Sequence, residues 1–426
     1  MDFAADESYS EEQESFAREV RAWLNEKIPD DLERPRDPRK MSREQWEKRR
    51  ELGRKLGEKG WLYPGVPLKY GGGGLDAAHS VVVHREMADR GLSLPLYYDI
   101  GPTLAVPAIL ACGTEEQKQR LLPRVYRGEV VTWQLFTEPE AGTDEANQQT
   151  NALRHRREGD HFVVNGSKIF VGGLYEPPDQ FLLLTRCDLE APRHENLAMF
   201  VTPADLPGVT IQALGLFPSG NFSQACGPAS VTGPGDKYSV FFDDVRIHES
   251  CLIGGEGGGW RAANATLTAE HGDRGSSPGT AGGVVARDLL LDKLLDRCRN
   301  DARVAARLRA NPELLDRLVT IYSRAEIQRL WSLRNAWLPR SGRRVPYAGP
   351  QLLLYSKILG NELLTDIADI LGPYALTDDA EWSLDEGFFE LGQRGGLCTA
   401  PAGTPEALKI VISRALAIGR PPAGSR

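Results

Sequence analysis

Apolar positions change their period twice along the chain and divide it into three zones. Up to about residue 132 they recur at helical spacing. Phe16, Val20, Trp23 and Leu24 form one stripe, and Trp46, Leu52 and Leu56 form another. Start signals accompany this pattern. Ser10 with Gln13, Ser42 with Gln45, and Thr114 with Gln117 have the spacing of a capping box, in which hydroxyl and amide each satisfy the other residue's backbone N–H. Four consecutive glycines, Gly71 to Gly74, break the pattern and predict a loop.

From about 133 to 248 short apolar runs replace the stripes. His161–Val164 and Ser167–Val171 flank Asn165-Gly166, which predicts a β-hairpin closed by a type I′ turn. Phe181–Thr185, Leu197–Val201 and Ser239–Asp243 are further strands. No helix-length pattern intervenes, so the zone reads as a small antiparallel β domain and not a parallel nucleotide-binding sheet. Phe217 to Asp236, rich in Gly, Pro and Ser, reads as an exposed loop.

Between Gly259 and Ile418 the helical period returns. Leu289, Leu290, Leu294 and Leu295 share one stripe; Leu315, Leu318, Ile321 and Tyr322 share another. Four or more such helices pack most simply as a bundle. A chain of 426 residues exceeds what one core usually serves. The expected fold is α+β: an N-terminal helical domain (1–132), a middle antiparallel, β-barrel-like domain (133–248) and a C-terminal four-helix bundle (249–426).

Composition narrows the function classes. With 26% charged and 41% hydrophobic residues and a net charge of −8, the chain is neither disordered nor fibrous. No stretch gathers Lys/Arg with aromatics, which excludes a nucleic-acid surface. The acidic start, Met1 to Glu7, lacks the order of a signal peptide. The most apolar segment, Leu94 to Cys112, carries Asp99 and three prolines and falls short of a membrane span. Six scattered cysteines without a CxxC pair suit reduced thiols and a cytoplasmic location. Seven histidines show no ligand spacing, so no metal site is expected. His79 and His84 read as core or surface residues. Gly275-Ser276-Ser277-Pro278-Gly279 fits the G-x-S-x-G pattern of serine hydrolases, but it follows a helix and no histidine comes after His271.

The joints between zones carry the specific signal. Trp133 to Asp144, reading WQLFTEPEAGTD, resembles the flavin- and substrate-contacting signature of acyl-CoA dehydrogenases. A tight Pro/Gly turn of this kind presents backbone N–H groups and small hydroxyls to a planar ring. Gly60-Trp61 with Pro67 and Tyr70 to Gly72, Gly113 to Pro123, Phe242 to Ile247 followed by Gly254 to Trp260, Leu371-Gly372, and Ala402-Gly403-Thr404 resemble further landmarks of that family, in order along nearly the whole chain.

The resemblance implies a homodimer, homotetramer or heterotetramer with FAD between the β domain and the bundle. An acyl-CoA or acyl-carrier-protein thioester would lie across the flavin, with an electron-transferring flavoprotein as electron acceptor. The family's chemistry takes the α proton to a carboxylate and the β hydride to the flavin. In one branch that carboxylate precedes a Gly-Thr pair near the C-terminus, where this chain has Ala402. A second branch places it on the first bundle helix, where this chain has Glu270, the candidate base. Ala402 retains a backbone N–H for the thioester oxygen. Phe136, Thr137, Gly142, Thr143, Phe170, Gly172 and Thr404 are the candidate cofactor contacts.

Some positions depart from the family pattern. Phe170-Val171-Gly172 stands where an aromatic and a hydroxyl residue are usual, His271 replaces an arginine, Asp369 replaces a glutamine, and the arginine-rich segment between 280 and 300 is not recognisable. Two other readings stay open: a flavin monooxygenase on the same fold, and a degenerate subunit supporting an active partner.

Overall fold

The start signals fold as the sequence predicts. In α1 (Glu11–Lys27) and α5 (Glu115–Tyr126) both halves of the capping box form, at Ser10–Gln13 and Thr114–Gln117. Ser42 caps α2 (Arg43–Glu58) through its hydroxyl, while the Gln45 amide turns instead to the Asp31 carbonyl. These elements belong to a computed structural model that describes residues 9–32, 42–92, 99, 101–142, 144–154, 159–173, 175, 177–214, 237–272, 289–343, 345–377 and 403–419. The expected loop of Phe217 to Asp236 and the hydrolase-like Gly275 to Gly279 lie outside those residues. The chain divides into one unit of residues 1–215 with 233–270 and another of 216–232 with 271–426.

In the first unit, α3 (Ala77–Ala88) packs on α1, and α4 (Val106–Cys112) leads into α5. The buried face of α1 is Ala17, Val20 and Leu24. Glu86 on α3 is buried but paired with Arg21 and Arg90, so its charge is compensated. Gly71, at φ 90°, opens the glycine loop, where a Cβ would meet the Pro123 backbone at 2.8 Å.

Eight strands follow: β1 (Thr132–Leu135), β2 (Asn151–Arg154), β3 (His161–Gly172), β4 (Gln180–Arg186), β5 (Leu197–Pro203), β6 (Val209–Ala213), β7 (Lys237–His248) and β8 (Leu252–Ile253). They form one sheet in the order β6-β7-β3-β2-β4-β5-β8, with β1 beside β4. Pairing is antiparallel except along β1–β4 and at one residue pair of β2–β4. Phe162, Val164, Phe181, Phe200 and Val240 fill its core.

The predicted hairpin is not formed. Asn165-Gly166 lies inside one continuous twelve-residue strand, β3, paired with β2 on one side and β7 on the other. The Asn165 amide instead staples a bulge in β7: it donates to Asp244 Oδ1 and accepts from the Asp244 N–H, both at 3.0 Å. Asp244 takes the extra-residue geometry, at φ 48°. Gly166, at φ 138°, is required because a Cβ would sit 2.6 Å from Thr150 Oγ1.

α6 (Gly259–Gly272) closes the first unit, with Ala262, Ala263 and Thr266 buried. The second unit contains α7 (Leu289–Asn300), α8 (Ala302–Ala310), α9 (Pro312–Arg340), α10 (Ala348–Leu371) and α11 (Pro405–Ala415). Its core joins Leu291 and Leu294 to Leu318, Ile321, Leu363 and Ile367. The side chains of Leu289 and Leu290 are outside the described set, and Leu315 and Tyr322 of the expected α9 stripe face outward. Among the described residues no helix is long and apolar enough to cross a membrane, and no cluster of His, Cys, Asp and Glu could hold a metal.

Candidate active site

The loop after β1 is shaped by a buried charge network. Lys168, fully buried on β3, is ion-paired with Glu138 at 2.7 Å. Its ammonium also donates to the Phe136 carbonyl at 3.2 Å and to Gln148 Oε1. Three donors thus meet three acceptors. Glu138 in turn accepts from the backbone N–H groups of Gln149 and Thr150. Burial pulls the Lys168 pKa down, and the Glu138 carboxylate opposes that pull. The network ties Phe136, Glu138 and Gln148 to Lys168 of β3, and Gln148 Nε2 also bonds the carbonyls of Phe136 and Glu145.

The predicted Phe136, Thr137 and Gly142 all lie on this loop, and Thr137 is hydrogen-bonded to the residue before Phe170. Phe136 is buried, and Gly142 sits at φ 56° with open space where a Cβ would be. The Thr137 carbonyl accepts from the Ile169 N–H at 3.0 Å. Between Lys168 and Val171 the register of β3 against β7 slips, with Ile169 and Phe170 both opposite Ser239. Phe170 takes φ 57° there, a backbone region costly for an aromatic residue. Its ring is 52% exposed. An exposed ring held on a strained bulge, one residue from the backbone bond to Thr137, offers a face to a flat aromatic partner.

Glu270 lies in the last turn of α6. Ala263 and Thr266 share its face at helical spacing, and the Thr266 hydroxyl anchors that face by donating to the Leu104 carbonyl at 2.8 Å. Glu270 is half-buried, and its charge is felt at Glu145, which accepts a hydrogen bond from the Thr137 hydroxyl at 3.1 Å. Burial chiefly pushes the Glu145 carboxyl up to about 7. Lys168 and the Thr137 bond pull it down, while Glu270 and Glu138 push it further up.

Of the other predicted residues, Gly172 ends β3 opposite Lys237, and Thr404 caps α11 by accepting from the Ala407 N–H at 3.2 Å. Thr404 belongs to the second unit. Thr143 and Ala402 lie outside the described residues. Sequence reasoning missed Glu138, Glu145 and Lys168 as site residues. Lys168 had a signal: it continues the inward parity of Phe162 and Val164, where a lysine needs a partner.

Helices, a sheet and a returning helix that ends on a half-buried carboxylate make up this unit. The chain matches the acyl-CoA dehydrogenase N-terminal domain over residues 10–129 and the middle domain of the same family over 134–219. It is 32% identical to acyl-CoA dehydrogenase IpdE1 of Mycobacterium tuberculosis, over 61% of this chain and 63% of that protein. The match therefore spans less than two thirds of this relative. Acyl-CoA dehydrogenase FadE26 of the same organism is 27% identical over 97% of this chain and 98% of its own. Among solved structures, the Tcur3481-Tcur3483 steroid ACAD superposes with a TM-score of 0.72 at 25% identity, covering 98% of this chain and 100% of that one. The chain belongs to the acyl-CoA dehydrogenase family.

Proposed function

We propose that the protein removes the α and β hydrogens of an acyl thioester, acyl-CoA or acyl-carrier-protein bound, to give the trans-2-enoyl product. The observation that carries this reading is Glu270, a half-buried carboxylate on the anchored face of α6, acting electrostatically on the turn that holds Thr137 beside exposed Phe170. Glu270 takes the α proton. Bound FAD would supply the acceptor for the β hydride. Phe170, Thr137, Thr143 and the backbone at Gly142 and Gly172 are the residues that would hold the FAD. By the family resemblance the Ala402 N–H would be the donor to the thioester oxygen, and Thr404 caps α11.

A bulky acyl group is the proposed substrate class, in keeping with the steroid ACAD among the structural relatives. An electron-transferring flavoprotein is the proposed electron acceptor, and the cytoplasm the proposed location. Assembly into an oligomer is supported by α9, which leaves Leu315, Val319, Leu330 and Trp337 more than 40% exposed. A second reading, dependence on a different partner subunit, is favoured by Gly172, which has no hydroxyl to offer a flavin.

Glu270→Gln tests the base. It should keep FAD bound and lose flavin bleaching by straight, branched and sterol-like acyl-CoA thioesters by about 10²–10⁴-fold, the usual worth of a general base. Unchanged bleaching refutes the assignment. A purified chain that stays colourless with added FAD refutes the solitary enzyme and supports the partner-dependent one.

A further inference from the structure

Beside the proposed base, the first unit holds a second carboxylate that the dehydrogenation scheme does not use. Glu145 follows directly on the turn that carries Thr137 and Gly142. Its Oε1 accepts from the Thr137 hydroxyl at 3.1 Å, and its Oε2 is buried without a hydrogen-bond partner. Its backbone carbonyl is tied by Gln148 Nε2 at 2.9 Å, so the side chain leaves from a fixed point. Lys168 cannot neutralise it by contact, because its three N–H groups are taken by Glu138, Gln148 and the Phe136 carbonyl. The charged groups acting on Glu145 are Lys168, Glu138 and Glu270.

A threonine hydroxyl has a single hydrogen. When Glu145 is ionised it holds that hydrogen, and Thr137 can show only lone pairs to a neighbour. When Glu145 is protonated it can donate to Thr137 Oγ1 instead, which releases the threonine hydrogen toward the ring site. The orphaned Oε2 fits the neutral acid, since an ionised oxygen buried without a donor carries the full desolvation cost. Protonation also removes a like charge from the vicinity of Glu270.

Resting on the dehydrogenation reading, we propose that Glu145 is a positioning residue of this site, whose proton decides whether Thr137 offers a hydrogen or a lone pair to the bound ring. Glu145 exchanges a proton with solvent and forms no bond to substrate. The burial that pushes its carboxyl up to about 7 puts this exchange in the neutral range.

The test uses the full chain with FAD bound, as wild type, Glu145→Gln and Thr137→Val. The flavin absorption spectrum and the bleaching rate with an acyl-CoA are each followed from about pH 5.5 to 8.5. The wild type should show a spectral and kinetic inflection near pH 7, and both variants should lose it. An inflection that persists in Glu145→Gln overturns the proposal. If it persists while Glu270→Gln abolishes bleaching, the dehydrogenation reading stands and only the role of Glu145 falls. Infrared pH-difference spectra of the flavin-free proteins provide a second readout, with Asp99→Asn as the control for the other buried carboxyl pushed up to about 7. A protonated-carboxyl band that titrates in the neutral range, survives in Asp99→Asn and is lost in Glu145→Gln supports the proposal. Absence of such a band overturns it.

Discussion

Replacing Lys168 by methionine keeps an unbranched side chain, one atom shorter, and removes its charge. In the native protein the ammonium is 0% exposed and its partner Glu138 is 2% exposed. The substitution leaves the Glu138 carboxylate in the interior and strips a donor from the Phe136 carbonyl and from Gln148 Oε1. Breaking a buried pair in this way costs about 3–5 kcal/mol, because the surviving charge keeps its desolvation penalty. The backbone N–H groups of Gln149 and Thr150 still face Glu138 and offset part of that, so the lower half of the range is expected. Lys168→Met should therefore lose about 3 kcal/mol in urea unfolding. The double variant Glu138→Gln/Lys168→Met should recover at least half of this loss, since the uncompensated charge is gone and the amide oxygen still accepts from Thr150. Flavin binding should weaken in the single variant more than in the double. A loss below about 1 kcal/mol in the single variant, or a double variant no more stable than the single, refutes the argument that the pair is held by mutual neutralisation.

Asp99 leads to a pH prediction. Burial pushes its carboxyl from 3.8 up to about 7, although it accepts from the backbone N–H groups of Gly101 and Thr132. A raised acid pKa means that its contribution is full below about pH 4 and is lost as pH rises toward 7, a change of up to about 4 kcal/mol. Asp99→Asn keeps the accepting oxygen and should be the more stable protein at pH 8 and near parity at pH 4; parallel melting curves at both pH values would contradict this. Gly173→Ala would bring a Cβ to 2.1 Å from the ring of buried Trp133, so a loss of about 1–3 kcal/mol is expected, and an unchanged Tm refutes the crowding.

What the sequence disclosed was mostly local. The caps at Ser10 and Thr114 are legible because hydroxyl, amide and backbone lie within three residues of each other. Strands β4 and β5 are legible because their apolar runs are continuous. Asn165-Gly166 misled because a turn signal is local, whereas the group Asn165 binds, Asp244, lies 79 positions away. The β1–β4 pairing has no local signature either. In the site, the motif from Trp133 to Asp144 was visible, but the residues that shape it were not. Glu145 gains its character from burial and from Lys168 and Glu270, which no spacing rule joins. The exposure of Phe170 depends on a register slip against β7 and contradicts the parity that correctly places Lys168 inside.

That slip has a consequence for how the protein can change in length. Elsewhere in β3, losing one residue would exchange the two faces of the strand and turn part of the sheet's core outward. At Ile169–Phe170 the strand already carries one residue too many, so a deletion there would restore regular alternation and leave Lys168, Val171 and Gly173 facing inward. The aromatic platform can thus be removed or re-aimed by a single-codon deletion that spares the interior, which makes this the point on the strand where insertions and deletions can diversify the site without dismantling the fold.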